Sequence, residues 1–317
     1  MGSERLWHCG WTNTATHKPR LTHVAFADDC TLVAHSWLTL KRMILQLRDA
    51  LAKRGLSLHP SKCQVQTNVE NWTLRGKLAL DKEFFIDFLP EWSQLTVLGT
   101  SLALRDVTAC EVRHRVASGW RLFWAMKSLL LKHNSSLKQR LHLFDSTVGS
   151  CVLWCAQSWT LRVEEVHKLR TVQRSMLRKI LAARRAPNED YFQYLSRVTS
   201  RAEIAAKAAG VRDWVETASR YKWGWAGHVA RRPLESWVWQ TTAWRDSVWQ
   251  LAANDMGASR PKRPSKRRWM KWENCLQRFC TSIGIHCWTS LAADRAGWAD
   301  KADAFVKWSL NQQESDD

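Results

Sequence analysis

The sequence predicts an α+β protein: a small antiparallel sheet with one helix, then a mostly α-helical part and a basic helical tail. Three observations carry this. Residues 21–34 (LTHVAFADDCTLVA) place two short apolar, β-rich runs around the polar pair Asp28-Asp29, a hairpin pattern. From Cys110 onward, apolar residues recur at helical spacing almost without interruption. The charge divides at the same place: residues 1–109 carry 13 basic and 10 acidic residues, residues 110–317 carry 35 and 19.

Each element follows from local pattern. After the hairpin, Ser36 is placed to cap a helix whose apolar side is Leu40, Ile44, Leu47 and Leu51, with Gly55 as its stop. Turn residues His59-Pro60-Ser61 precede a strand-like run, Cys63–Thr67, and Leu95–Leu98 with Gly99 predicts another strand ending in a turn. In the helical part, one stripe is Val112, Val116, Trp120 or Gly119, and Phe123. A second is Leu137, Leu141, Phe144 and Val148, capped by Ser135 or Ser136. A third is Val166, Leu169, Val172, Met176 and Ile180, with Lys168, Arg170, Arg174, Arg178 and Lys179 on its other face. The Ala-rich stretch 201–209 and the Trp-rich stretch to Val229 make a fourth helical region, and Pro233 breaks the pattern. The expected organisation is 1–109 as the mixed front part, 110–232 as a helical domain, 233–265 as an irregular linker, and 266–317 as a basic, Trp-rich helical tail.

Composition narrows the function classes. The 317 residues carry a formal net charge of +19, so a polyanion, nucleic acid before membrane, is the first partner to consider. No stretch approaches the roughly 18 apolar residues a membrane span needs. The first ten residues (MGSERLWHCG) lack an apolar signal region, and the nine Cys contain no CxxC pair. Reduced thiols inside the cell are expected, and KRPSKRR at 262–268 would serve as a nuclear-import signal or a solvated linker. Residues 260–278 hold eight basic residues and one acid (Glu273), interleaved with Trp269 and Trp272. Lys and Arg neutralise phosphates and indole faces stack on exposed bases, so Lys262, Arg263, Lys266, Arg267, Arg268, Trp269 and Trp272 are candidate nucleic-acid contacts.

The tetrapeptide Phe26-Ala27-Asp28-Asp29 holds the chemistry. Two adjacent carboxylates on a tight turn cannot both enter a core, so they are solvated or metal-bound. Hard oxygen ligands suit Mg²⁺, and two such ions about 4 Å apart would clamp the attacking and leaving oxygens of nucleotidyl transfer. Asp-Asp is also ordinary turn chemistry, and that reading stays open from the dipeptide alone.

In wider context, the order hairpin, amphipathic helix, GLSLHPSKC (55–63) and VLGTSL (97–102) resembles motif C, motif D and the primer grip of non-LTR (LINE-type) retrotransposon reverse transcriptases. FADD stands where that family carries YADD or FADD. GLSLHPSKC is similar to its GLxLNxxKT segment, and VLGTSL to its YLG segment. Further on, CVLWCAQSWTL (151–161) is similar to LLYGAETWTL and WGWAGHVARR (223–232) to WxGHxxR. RRWMKW (267–272) and WTSLAADRAGW (288–298) are similar to the terminal RW…W…A.DR..W pattern. The resemblance implies a partial palm followed by a thumb, RNA-directed DNA synthesis with Mg²⁺ in the intact enzyme, and an RNA–DNA template-primer as partner. It puts Asp28 and Asp29 at the catalytic metal positions and Lys62 at a general-acid position beside pyrophosphate; read alone, Lys62 is a solvated strand-end charge. It also puts Arg174 and Arg178 on a thumb face beside nucleic acid.

Several family parts have no counterpart in the sequence. Glu4 is the sole acid before Asp28, no motif B glycine segment or fingers precede the hairpin, and no endonuclease is recognisable. Two Asp alone cannot position two ions, so this chain is expected to lack polymerase activity by itself and to be limited to RNA or DNA binding. The alternatives are a domesticated, non-enzymatic nucleic-acid-binding protein and a decayed fragment of an element. Cys275, Cys280, His286 and Cys287 depart from zinc-knuckle spacing, so zinc is not expected, and His228 reads as a structural histidine.

Overall fold

A computed structural model describes residues 8–11, 21–68, 76–81, 84–89, 93–104, 106–132, 135–233, 236–242 and 272–315. The chain divides into two compact units, Met1–Glu111 and Val112–Asp317.

The first unit is built from short strands and one helix. Strands β1 (His8–Trp11), β2 (Leu21–Phe26) and β3 (Asp29–Leu32) form an antiparallel sheet with β2 in the middle. Helix α1 (Trp37–Ala52) starts where the Ser36 side chain accepts a hydrogen bond from the Thr39 N–H at 3.2 Å. It ends in a Schellman pair, Gly55 N–H to Ala52 carbonyl and Leu56 N–H to Leu51 carbonyl. A second sheet joins β4 (Gln64–Val65), β5 (Lys77–Ala79) and β6 (Phe85–Phe88), with β6 central, β4 parallel to it and β5 antiparallel. Its side chains alternate as a half-covered sheet must: Leu78, Ile86 and Phe88 are buried, and Lys77, Phe85 and Asp87 are exposed. Those buried residues, with Val65 and Leu80, pack against Ile44 of α1, and Leu32 of β3 and Cys63 flank the same small core.

Strands β7 (Leu95–Val97) and β8 (Thr100–Leu102) form a separate hairpin. Its two turn residues, Leu98 and Gly99, both have positive φ (50° and 75°), the type I′ geometry that matches the twist of the flanking strands. The Ser101 N–H donates to the Glu111 carboxylate at 2.5 Å.

The second unit is helical: α2 (Val107–Ala125, from Val112 on), α3 (Lys127–Leu130), α4 (Leu137–Phe144), α5 (Ser150–Val152), α6 (Val163–Leu181), α7 (Tyr191–Ala208), α8 (Trp214–Ala230), α9 (Trp237–Thr242), α10 (Asn274–Ser282), α11 (Trp288–Ala293), α12 (Arg295–Asp300) and α13 (Ala302–Ser315). A π-helical turn, Asp145–Gly149, joins α4 to α5. Of the two possible caps for α4, Ser136 is used, in a reciprocal capping box with Gln139. One core gathers Val112, Val116, Phe123, Phe144, Val148, Leu169, Met176, Ile180 and Trp214. Arg140 is buried in it, its Nη1 donating to the Leu130 and Ile180 carbonyls at 3.2 and 2.8 Å, a cation placed at two helix C-termini.

A second core surrounds the end of α8: Trp223, Ala226 and Val229 pack with Leu276, Phe279, Cys280, Trp288, Trp298 and Phe305. The sequence reading sets 266–317 apart as a tail. Residues 272–315 instead share this core with α8: their Trp and Phe side chains pack on one another and on Trp223, which closes the cluster. Of the expected linker, 233–265, residues 234–235 and 243–265 lie outside the described residues, as do 266–271 of the expected tail. No described helix is long and apolar enough to cross a membrane.

Candidate catalytic hairpin and nucleic-acid interface

The FADD segment is a two-residue hairpin. Phe26 pairs with Asp29, Ala25 with Cys30 and Val24 with Thr31, so Ala27 and Asp28 form the turn. Both carboxylates are exposed, Asp28 at the tip and Asp29 on the first residue of the returning strand. Ala27 adopts φ 52°, a region that costs an L residue with a Cβ roughly 1–2 kcal/mol. Such strain is held because the three-strand pairing on either side fixes the turn, and it presents Asp28 outward. Ala27→Gly should relieve about 1 kcal/mol and slow exchange of the Thr31 amide, which lies in a hydrogen-bonded pair with Val24, about fivefold; unchanged exchange would show that the turn is not strained.

The fit to Mg²⁺ can be read from the donors. Two neighbouring carboxylates supply two oxygens, enough for one largely hydrated ion that completes its shell with water and substrate phosphates. No group of three His, Cys, Asp or Glu side chains suited to a metal occurs among the described residues. The strand beside the hairpin, β1, is His8-Cys9-Gly10-Trp11 and adds no carboxylate to the sheet. A third ligand for a paired-ion site is therefore not at hand on this sheet, and no two-ion step is built on it. Sequence reasoning missed β1 altogether: four residues containing a Gly and a Trp show no alternation, and only the partner strand makes them a strand.

Lys62 is the last residue of a 3₁₀ turn, Pro60–Lys62, and is exposed. It and the hairpin sit on one core, since Leu32, three residues past Asp29, and Cys63, next to Lys62, both pack against it. Burial pushes the Cys30 and Cys63 thiols up, so both stay protonated at neutral pH.

In the second unit, the predicted contact residues have structural partners. Arg174 donates to the Glu203 carboxylate at 2.6 Å, and Arg178 to the Thr199 hydroxyl at 3.0 Å, both between α6 and α7. Arg174 and Glu203 stay well exposed, so water screens their pairing and the guanidinium remains accessible. The Trp272 indole N–H donates to the Gln157 carbonyl at 2.8 Å, and the Lys222 ammonium lies 5.4 Å from its ring centroid. Lys222 is buried and donates to the Trp159 carbonyl at 3.0 Å, so Trp272 and Lys222 together pin the 156–159 turn onto α8. Lys262, Arg263, Lys266, Arg267, Arg268 and Trp269 lie outside the described residues. Cys280 is buried and pushed up to about 11 by that burial and by the nearby Cys287, which favours thiol over a thiolate ligand.

Helix α2 resolves the alternative left by its stripe. Gly119 is the buried one, where a Cβ would come within 2.5 Å of Val152 Cγ2, and Trp120 packs on the margin of the same core. Trp120 is consequently half-buried and Trp124, one turn on, is 46% exposed. The two indoles stack at 6.1 Å and 19°, and Lys179 of α6 sits 5.4 Å from the Trp124 ring. Sequence reasoning passed over this face, although a signal was present: residues 112–144 contain seven Lys or Arg and no Asp or Glu.

The blocks 223–232 and 288–298 meet in space. Trp223 and Trp298 stack face to face, centroids 3.6 Å apart and 1° from parallel. Each indole N–H donates to the other residue's carbonyl, at 2.9 and 3.0 Å. Arg231 donates to the Ala292 carbonyl at 2.7 Å, and Asp294 caps α12 by accepting from the Ala296 and Gly297 N–H groups. His228 stacks on Trp225 and accepts from Arg232, and its pKa is lowered by burial and by the nearby Arg232, Arg231 and Arg295. These contacts give most of the polar and aromatic residues of the two blocks structural work.

A protein of Caenorhabditis elegans described as transposon-derived and uncharacterized is 26% identical over 289 residues, covering 88% of this chain and 94% of that protein. The likeness points to a transposon origin. Since the match spans 88% of the chain, it takes in parts of both compact units, the strand-rich front and the helical remainder. The chain matches no family model and no solved structure.

Proposed function

We propose that the chain is a nucleic-acid-binding protein derived from a non-LTR retrotransposon reverse transcriptase, with a remnant of the palm in front and thumb-like helices behind. The observation that carries this is the hairpin: two exposed carboxylates on a strained two-residue turn, held over a small α/β core and followed in order by the Lys62 turn and the Leu98-Gly99 hairpin. The transposon-derived relative supports the origin, and the excess of 35 basic over 19 acidic residues after residue 109 supports a polyanionic partner.

In this reading Asp28 and Asp29 would hold one hydrated Mg²⁺, and the Lys62 ammonium would neutralise phosphate charge. A bound ion there supplies Lewis acidity. The protein's own groups bind and orient the strand but do not clamp the attacking and leaving oxygens together, so binding without polymerisation is the working activity. The 262–268 run supplies phosphate contacts and an import signal. The test is paired. The purified chain should bind single-stranded RNA at low salt, and should extend no primer on an RNA template with Mg²⁺. Incorporation that Asp28→Ala abolishes would overturn the inactive reading. Absence of any binding at low salt would overturn the nucleic-acid reading itself.

A further inference from the structure

We propose that Trp120 and Trp124, stacked on the outer side of α2 and flanked by Arg121 and Lys179, form a platform on which an unpaired nucleobase of a single strand stacks. This rests on the nucleic-acid reading above and adds to it a site, a ligand chemistry and a preference for single strands.

The residues carry the inference in three steps. First, the platform is built and exposed. Because Gly119 takes the fully buried position, the next residue, Trp120, lies half-buried at the margin of the core, and Trp124 stands one turn further along with 46% of its surface in water. A tryptophan that large is usually buried or covered, and here Phe123 beside it is fully buried while Trp124 is not. Second, the surroundings select the partner. Arg121, three residues before Trp124 on the same helix side, is exposed, and among the described residues it donates locally, to the Ser118 hydroxyl. The Lys179 ammonium lies 5.4 Å from the Trp124 centroid, and Lys127 is exposed just beyond the helix end. The stretch 112–144 has seven Lys or Arg, of which Arg115 and Arg140 are buried, and no Asp or Glu, so no acid of its own competes with an incoming phosphate. Third, only one common partner offers both flat apolar faces and a regular chain of anions at once. An apolar peptide would leave the cations unmatched, and a duplex keeps its base faces stacked inside, away from Trp124. A single strand satisfies the ring and the cations together. Lys179, on an exposed flexible stem, is free to move from the ring face to a phosphate when a base takes its place.

The experiment compares wild type and three variants on two probes, read by fluorescence anisotropy with the full chain. The probes are a labelled oligouridylate and an abasic sugar–phosphate strand of the same length. Trp124→Ala should weaken oligouridylate binding about tenfold, and removing the bases should weaken wild-type binding by about the same factor. On the abasic strand Trp124→Ala should change nothing further. Arg121→Ala should weaken both probes equally and reduce the salt slope by about 0.7. Trp124→Leu keeps apolar bulk without the indole face and should behave like the alanine variant, which separates stacking from loss of fold. If wild type binds RNA with a steep salt dependence but Trp124→Ala binds equally well, the platform is wrong while the nucleic-acid reading stands. If Trp124→Ala loses the same factor on both probes, Trp124 acts through structure and the platform is again wrong. If wild type binds neither probe at low salt, both fail.

Discussion

Gly227→Ala is expected to lower the melting temperature of the helical unit by roughly 10 °C, although alanine is the better helix former. A Cβ at position 227 would stand 2.6 Å from Trp298 Nε1, 2.7 Å from Cδ1 and 3.1 Å from Arg231 Nη1. The obstacle is not the far end of a flexible chain. Trp298 is stacked against Trp223 at 3.6 Å, its N–H is held by the Trp223 carbonyl and its own carbonyl by the Trp223 N–H. Trp223 is in turn packed against Phe305 at 4.7 Å and Phe279 at 5.4 Å. Making room for one methyl therefore separates two indoles and breaks two buried hydrogen bonds. Overpacking costs about 1–3 kcal/mol, and each buried donor left without a partner about 1–3 more. Against this, Gly to Ala within a helix gains up to about 1 kcal/mol. The net loss is about 3 kcal/mol, which for a unit of this size corresponds to the shift given. Gly224 is the internal control: it lies in the same helix, three residues earlier, with nothing within 4 Å of the position a Cβ would take. Gly224→Ala should raise the melting temperature by a few degrees. Equal stability of the two variants would mean that the stacked pair does not set the position of α12 on α8.

That pair also shows where sequence reading stops. The first hairpin, the Ser36 cap, and the buried sides of α2 and α6 were legible because each is decided by neighbours within a turn or two of chain. Val112, Val116 and Phe123 are buried as their spacing predicts, and so are Val166, Leu169, Met176 and Ile180. The reciprocal hydrogen bonds of Trp223 and Trp298 join residues 75 positions apart, and the Trp272 N–H finds its acceptor 115 positions away. Nothing in local periodicity separates an indole that stacks on a base from one that pins a turn. The two-residue strand β4 and the parallel pairing that makes it a strand fall in the same class, since β6 lies about 20 residues further along. At the candidate site, the sequence places the turn at Asp28-Asp29, one residue later than the Ala27-Asp28 turn that the strand register sets. The strain at Ala27, the exposure of both carboxylates and the carboxylate-free neighbour β1 emerge only when the strands are paired.

Neutralising the 262–268 run is expected to produce the largest functional change. Replacing Lys262, Arg263, Lys266, Arg267 and Arg268 with glutamine removes five cations from a run that contains no acid. On a single strand each phosphate neutralised contributes about 0.7 to the slope of log affinity against log salt, so five contacts contribute roughly 3.5. Raising salt fourfold then costs the wild type on the order of a hundredfold in affinity through these residues alone. The variant should bind more weakly at low salt, lose far less as salt rises, and converge on the wild type at high salt. The described helices alone offer fewer contacts. Arg140 and Lys222 are buried on backbone carbonyls, Arg197 is bonded to Glu189, and Arg212 to Asp145. Cations bound in this way serve the fold; on the proposed reading, phosphate contact falls to the 262–268 run and the exposed lysines and arginines of α2 and α6. A wild-type slope that the five substitutions leave unchanged would take this run out of the interface and restrict it to a linker or import role. Binding would then rest on the α2 and α6 faces alone.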